Sequence, residues 1–294
     1  MLKKILIGFL IILLIVFGIV IFKKKSSQSS LLKTDTPELK IIKSASEFDY
    51  PPFCVVTKDG QADGFSVELL RAALAAENFD VSFYVGPWDQ IKQDLTDGKI
   101  QVLPLVARSP EREELYDFTE PYLTFYGAIF VREGETDIKT DQDLFNKEIA
   151  VLKGDASEEY VRRENISQNI VTVLTYEEAF RRLANGEFDA VVAQQRMGTD
   201  LLKGLDIKNV IALDYRLDKF RQDFTFAVHE GDDELLKILD AGLSKVIFDG
   251  TFDQLHKKWF VESNNDKFSY WLIFGSIIIV FFAVFLTSFY FLKK

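Results

Sequence analysis

Cysteine occurs once in the 294 residues, at Cys54. That excludes an internal disulfide and any cysteine-based metal cluster. Histidine occurs twice, at His229 and His256, which is too few for a histidine-rich metal site. No metal and no cofactor is therefore expected. Basic residues are in deficit, 35 against 45 acidic ones, and the net charge of −10 argues against a nucleic-acid partner. Internal repeats are lacking, and the only compositionally biased tract is a short Ser-rich stretch after residue 25. With 48% hydrophobic and 27% charged residues the chain is neither disordered nor a multi-span membrane protein.

Long charge-free apolar runs occur in two places, residues 5–22 (18 residues) and residues 268–292 (25 residues). At ~1.5 Å per residue these make helices of about 27 and 37 Å, enough to cross a ~30 Å hydrocarbon core. The first run exceeds the ~7–15 apolar residues of a cleaved signal peptide, and no small-x-small cleavage site precedes Lys23 to Lys25. An uncleaved anchor is the expectation. Two spans place both termini on one side, and Lys3, Lys4, Lys293 and Lys294 favour the cytoplasm, with residues 1–4 the cytoplasmic N-terminus. Setting aside the lysines that flank the runs leaves the intervening chain more acidic still. The main domain is thus expected on the periplasmic or extracellular side of the cell (inner) membrane.

Residues 23–38 are polar and Ser-rich beyond the lysines and read as a flexible tether. Strand-helix alternation follows. Strands are expected at 39–45, 81–85, 102–106, 128–132, 148–152, 170–174, 190–192 and 224–228. Helices are expected at 65–77, 88–95, 156–164, 176–185, 197–203, 232–247 and 251–259. The run 102–106 is apolar throughout, as a buried parallel strand should be. The pattern predicts an α/β fold with mainly parallel sheets.

Four motifs stand in sequence along 40–260. Tyr50-Pro51-Pro52-Phe53 precedes Asp63-Gly64-Phe65-Ser66-Val67-Glu68-Leu69-Leu70. Trp88-Asp89 leads to Asp97-Gly98-Lys99-Ile100, and Pro110-Glu111-Arg112 to Asp117-Phe118-Thr119-Glu120-Pro121-Tyr122. Asp249-Gly250-Thr251-Phe252 leads to Lys258-Trp259-Phe260. In this order they resemble the bacterial extracellular solute-binding protein family 3, the type 2 periplasmic-binding-protein fold also found as the outer sensor domain of transmembrane histidine kinases. The resemblance implies a two-lobed Venus-flytrap clamp flanked by the two transmembrane helices. Lobe one would be 39–124 and 226–262, lobe two 125–225 with its hinge strands, and 263–267 a short linker to the second span. Such clamps close around a small-molecule ligand.

The resemblance also nominates ligand-binding residues. Arg112 matches the arginine that grips a ligand carboxylate with its planar fork; the bland alternative is a helix arginine paired with a neighbouring glutamate. Arg108, four residues earlier, is a second cation that would face the same side. Tyr50 and Trp88 fall where the family places aromatics against the ligand, although most aromatics in a chain with 27 Phe simply fill core. Phe53, beside Pro52, is assigned to core. Gly154 and Asp155 open a lobe-two helix whose backbone suits an anionic group; equally, Asp155 and Glu158 read as an ordinary cap pairing. Two departures count against a standard amino-acid clamp. Leu105 and Ala107 replace hydroxyl residues, and Gln194 stands at the aspartate that accepts the ligand ammonium. A neutral amide cannot neutralise an ammonium. Either the ligand lacks a free amine, or Glu47, Asp49 or Asp155 supplies the charge.

The expected function is a membrane-anchored extracytoplasmic sensor that closes on a small, carboxylate-bearing, amino-acid-like ligand and couples closure to the membrane. These 294 residues carry no output domain, so the sequence is expected to be either a piece of a longer sensor or a subunit that acts through a cytoplasmic or membrane signalling partner, or as a homodimer. The alternative is the substrate-binding component of an amino-acid-type ABC transporter. Catalysis is not expected, because no residue is marked as an acid catalyst.

Overall fold

The computed structural model describes residues 39–261. The two expected spans and the tether lie outside the described residues. Among the described residues no helix is long and apolar enough to cross a membrane.

Strand β1 (Lys40–Ser46) buries Ile42, Ser44, Ala45 and Ser46. Three very short strands, β2 (Asp49–Tyr50), β3 (Cys54–Val56) and β4 (Ala62–Asp63), then form a separate antiparallel sheet. Gly64 turns this sheet into a helix at φ 117, where a Cβ would stand 2.3 Å from the Phe53 carbonyl oxygen. Helix α1 (Phe65–Ala76) buries Phe65, Leu69, Leu70, Ala73 and Leu74 at helical spacing. The chain returns as β5 (Phe79–Val85), parallel to β1 with Lys40 opposite Phe79 and Ser46 opposite Val85. Helix α2 (Trp88–Thr96) follows, and β6 (Val102–Ala107) is buried at every position, as a strand covered on both faces must be.

After β7 (Tyr116–Phe118), strand β8 (Leu123–Arg132) carries the chain into a second lobe. That lobe contains a 3₁₀ turn (Asp141–Leu144), β9 (Glu148–Leu152), α3 (Ala156–Arg163), β10 (Asn169–Val173), α4 (Tyr176–Ala184), β11 (Ala190–Gln194), α5 (Gln195–Gly204) and β12 (Val210–Ala212). The 13-residue strand β13 (Leu217–His229) brings the chain back, and α6 (Asp233–Phe248) and α7 (Thr251–Phe260) close the first lobe. The main path of strands is β10-β9-β11-β8-β13-β6-β1-β5.

The α/β two-lobed architecture agrees with expectation; the strand directions agree only in part. Each βαβ unit gives parallel neighbours, as in β1 with β5 and β9 with β10. The crossing strands do not. β8 and β13 run in opposite senses and pair antiparallel with each other, with β11 and with β6. A chain that leaves one lobe and returns beside its own exit must do this. The sheet β2-β3-β4 went unforeseen because two- and three-residue strands are too short to show a period.

Gly242 of α6 lies against α1 so closely that an added Cβ would stand 2.1 Å from the Ala73 carbonyl oxygen. Backbone cannot yield as a side chain can. Gly242→Ala is therefore expected to cost about 1–3 kcal/mol, a fall in melting temperature of several degrees at roughly 2–4 °C per kcal/mol. Thermal melts of the full chain in detergent would show it, and an unchanged melting temperature would refute the helix contact.

Candidate functional site

Between the lobes lies a cavity of about 220 Å³ lined by Glu47, Tyr50, Trp88, Leu105, Ala107, Arg112, Asp155, Gln222 and Phe224. The walls come from several elements. Glu47 and Tyr50 follow the end of β1, Trp88 opens α2, Leu105 and Ala107 end β6, and Asp155 caps α3. Gln222 and Phe224 come from the crossing strand β13. A neighbouring space of about 160 Å³ shares Glu47, Trp88 and Leu105, so Glu47 borders both.

Arg112 is 2% exposed. Its Nε donates to Glu159 Oε1 at 3.0 Å, Nη1 to the Ala107 carbonyl at 3.1 Å, and Nη2 reaches the Gly154 carbonyl at 3.5 Å. The guanidinium lies 5.2 Å from the Trp88 ring centre. On the other side of the charge balance, Glu47 is buried and no hydrogen bond to its carboxyl occurs among the described residues. Burial pushes its carboxyl well above the usual range; the charges of Asp49 and Asp155 add to this and Arg112 opposes it. Asp155 is also buried, accepting from the Ser157 N–H and the Tyr176 hydroxyl, both at 2.8 Å through Oδ1. Gln222 is 1% exposed and its amide oxygen has no partner. The Tyr50 ring stands 6.4 Å from Phe224 and 6.0 Å from Tyr176.

Of the residues nominated from sequence, Tyr50, Trp88, Arg112 and Asp155 meet at this cavity. Arg108 does not. Its side chain is half exposed and its Nε donates to Glu113 at 2.6 Å. Gly154 is adjacent but not a wall, because its N–H is taken by Glu158 Oε2 at 2.7 Å and its carbonyl by Trp88 Nε1 at 2.8 Å. Asp155 caps α3 through the Ser157 N–H and Glu158 takes the Gly154 N–H, so the reciprocal cap pairing weighed for these two acids does not form; Asp155 lines the cavity as well. Gln194 is wholly buried and caps α5 by accepting from the Met197 N–H, while its Nε2 has no partner. Asp49, the third acid considered, is drawn away to the first turn of α4, where it accepts from the Tyr176 N–H at 2.9 Å; burial raises it to about 6. Phe53 is core, as expected.

Gln222 and Phe224 escaped the sequence reading. Their signal was present: Phe220, Gln222 and Phe224 alternate with charged Arg221 and Asp223, a period-2 face that marks Gln222 as inward.

Two α/β lobes joined by a pair of crossing strands, with an aromatic-walled charged cavity between them, define a solute-binding clamp. Residues 42–262 match the Bacterial extracellular solute-binding proteins, family 3, and the chain belongs to that family. The described domain is accordingly an extracytoplasmic solute-binding domain. Among its relatives is the L-cystine-binding protein TcyJ of Escherichia coli (strain K12), 32% identical over 222 residues that cover 73% of this chain and 80% of the relative. Among solved structures, a histidine kinase sensor domain with similarity to periplasmic binding proteins superposes with a TM-score of 0.72 at 27% identity, covering 76% of this chain and 97% of its own. An ancestral arginine-binding protein bound to arginine gives 0.68 at 28% identity, covering 75% and 98%.

Proposed function

We propose that this protein is a membrane-anchored receptor for an amino acid that carries a second cationic group. Arg112 would take the carboxylate, Glu47 and Asp155 would take the cation or cations, and Tyr50, Trp88 and Phe224 would exclude water around them. One observation carries the reading: two buried acids share a small cavity with one arginine whose charge is already partly paired by Glu159. Once Glu47 gives up its proton, the cavity therefore lacks positive charge. A ligand of net charge +1 would supply it, and the unpartnered Gln222 oxygen offers a further acceptor for an N–H. The arginine bound in the ancestral structure supports the same chemistry. The acids lining the cavity also answer the problem left by Gln194: the ammonium partner has moved from lobe two's strand end to Glu47 and Asp155.

The test is a thermal-shift panel on the full chain in lipid nanodiscs with L-arginine, L-lysine, L-histidine, L-cystine, L-glutamine and L-glutamate. A ligand at ~100 times its Kd adds about 2.7 kcal/mol, or several degrees at about 2–4 °C per kcal/mol. Shifts are expected for the basic amino acids and not for L-glutamate. A shift with L-glutamate alone would overturn the charge argument.

Two apolar runs in the sequence favour a sensor over the uptake component of a transporter, since delivery to a permease needs no second anchor. The neighbouring kinase sensor domain supports this role. Helix α7 ends at Phe260, and seven residues separate it from the second run, which begins at 268. A link this short transmits motion better than a floppy one. A Gly-Ser insertion after Glu262 is expected to leave affinity unchanged while abolishing ligand-dependent change in the membrane segment, read by a fluorophore placed there; preserved coupling would sink the sensor reading.

A further inference from the structure

Helix α7 is the last described element before the second apolar run, and both lobes touch its end. Lobe one holds it through Glu68 of α1, which accepts from Lys258 Nζ and, at 3.1 Å, from Trp259 Nε1. The Phe260 ring lies 5.4 Å from Phe53, 5.1 Å from Phe65 and 6.0 Å from Phe125, stacked on the last at 19°. Phe125 stands on β8 where it crosses between the lobes, opposite Gln222 of β13. From lobe two comes Arg196, at the start of α5, whose guanidinium lies 5.3 Å from the Phe260 ring centre.

The bland account of Arg196 is an ordinary i,i+4 pair, and its Nε does donate to Asp200 at 2.6 Å. The two contacts do not compete, because a planar guanidinium offers its edge to a carboxylate and its face to a ring. The Arg196 side chain is 34% exposed, so the pair with Asp200 contributes little to stability. Its effect is to hold the guanidinium on the α5 side of the ring. The Phe260 ring is also two ring contacts from the ligand cavity: Phe53 lies 5.1 Å from Phe224 and 6.0 Å from Tyr50, both cavity walls. The rings around Phe260 thus belong to one packed cluster of lobe one and the hinge, whereas Arg196 is carried by lobe two.

We propose that Arg196 is the positioning residue through which lobe two acts on the exit helix: its contact with the Phe260 ring changes with the angle between the lobes, and α7 passes that change on through residues 261–267. A cation over a ring suits this task. The attraction depends on the cation lying above the ring face at short range, so a small rotation of lobe two makes or loses the contact. The contact is then a two-state element that the ligand biases from one side and the second run from the other. The inference rests on the sensor reading and deepens it by naming the side chain that joins the lobe angle to the exit. It holds whatever small molecule shuts the lobes.

The experiment uses the full chain in nanodiscs with a fluorescent amino acid incorporated within residues 268–292. The lobe angle is set in two ways: by L-arginine, and without ligand by a short bis-maleimide joining Asp89→Cys to Lys153→Cys, whose native side chains meet across the cleft at 2.9 Å. Native Cys54, 1% exposed, stays unmodified. Cross-linking is expected to change the emission when Arg196 is present. Arg196→Gln should cut that change to about a third, while L-arginine affinity, measured before cross-linking, stays within about twofold of the parent. Arg196→Lys should keep about half of the change, because a cation still faces the ring. Asp200→Asn should keep most of it. An undiminished change in Arg196→Gln overturns the proposal, and so does a diminished one accompanied by lost affinity. A parent protein whose emission ignores the cross-link overturns the sensor reading and this inference together. Emission that follows the cross-link as expected but ignores every amino acid of the panel upholds the role of Arg196 and overturns only the amino-acid reading.

Discussion

Arg112→Ala is expected to abolish binding of any carboxylate-bearing ligand at concentrations that saturate the wild type. The side chain is 2% exposed, and its removal takes away the guanidinium proposed to hold the carboxylate. It also leaves Glu159 facing Lys92 at 3.8 Å and Ser109 without its nearest cation. Truncating one partner of a buried, hydrogen-bonded charge pair costs about 2–5 kcal/mol. That corresponds to a loss of affinity of roughly 30-fold to several thousand-fold. Arg112→Lys should recover little of this, because an ammonium cannot satisfy Glu159, the Ala107 carbonyl and a bidentate ligand together. Isothermal titration of both variants with the tightest hit of the amino-acid panel gives the answer. Affinity within threefold of wild type in Arg112→Ala would remove the carboxylate from the mechanism.

The second large effect concerns pH. Glu47 is pushed above the ordinary carboxylate range, first by burial and then by Asp49 and Asp155. A bound cation would pull it back down. Binding then releases a proton between the lowered and the raised value, so affinity rises with pH through that window, by up to about tenfold per pH unit, and levels off above it. Titrations in buffers of different ionisation enthalpy would count the proton. Glu47→Gln should abolish this pH dependence and the preference for basic over neutral amino acids together. Stability runs the other way. The folded protein holds the Glu47 proton more tightly than the unfolded chain, whose glutamates titrate near ~4.3. Ligand-free stability from this group is therefore full below that value and falls as pH climbs through the folded pKa. Each unit of upward shift is about 1.36 kcal/mol. Glu47→Gln should consequently melt higher than wild type at neutral pH while binding worse. A variant that binds worse and also melts lower would show that Glu47 holds the fold and not the ligand.

These two residues illustrate what the sequence made legible. Arg112 was found by its spacing within a motif, because a family signature preserves the order of chemistry along the chain. Glu47 was named only as one of three acids, and sequence alone could not separate it from Asp49, two residues away. The separation is made by the other lobe: Asp49 meets the N–H groups at the start of α4, while Glu47 faces the cavity. Arg108 and Gly154 lie off the cavity wall for a related reason. Helical spacing put Arg108 on the side of Arg112, but Pro110 to Leu115 form turns and not a helix, and Glu113 captures Arg108 in solvent. Gly154 sits where expected in the loop, yet its backbone groups are taken by Glu158, Trp88 and Lys92. Periodic elements such as α1 and β6 were readable because their hydrophobic pattern is local. The closure contacts were not, since Arg112 and Glu159 are 47 residues apart and nothing in either segment names the other.

Strands β8 and β13 are bonded to each other where they pass between the lobes, Phe125 opposite Gln222 and Thr124 opposite Asp223. A joint of this kind has no slack. Two loose loops would let the halves swivel at no energetic cost, whereas a two-stranded ladder stores elastic energy when it is twisted and returns it on release. Any change in the angle between the lobes therefore loads this ladder as a spring. Gln222 and Phe224 are at once leaves of that spring and walls of the cavity. A molecule pressing on them acts on the stiffness of the joint as well as on its angle, so two occupants that shut the lobes to the same degree would still leave the hinge with different rigidity.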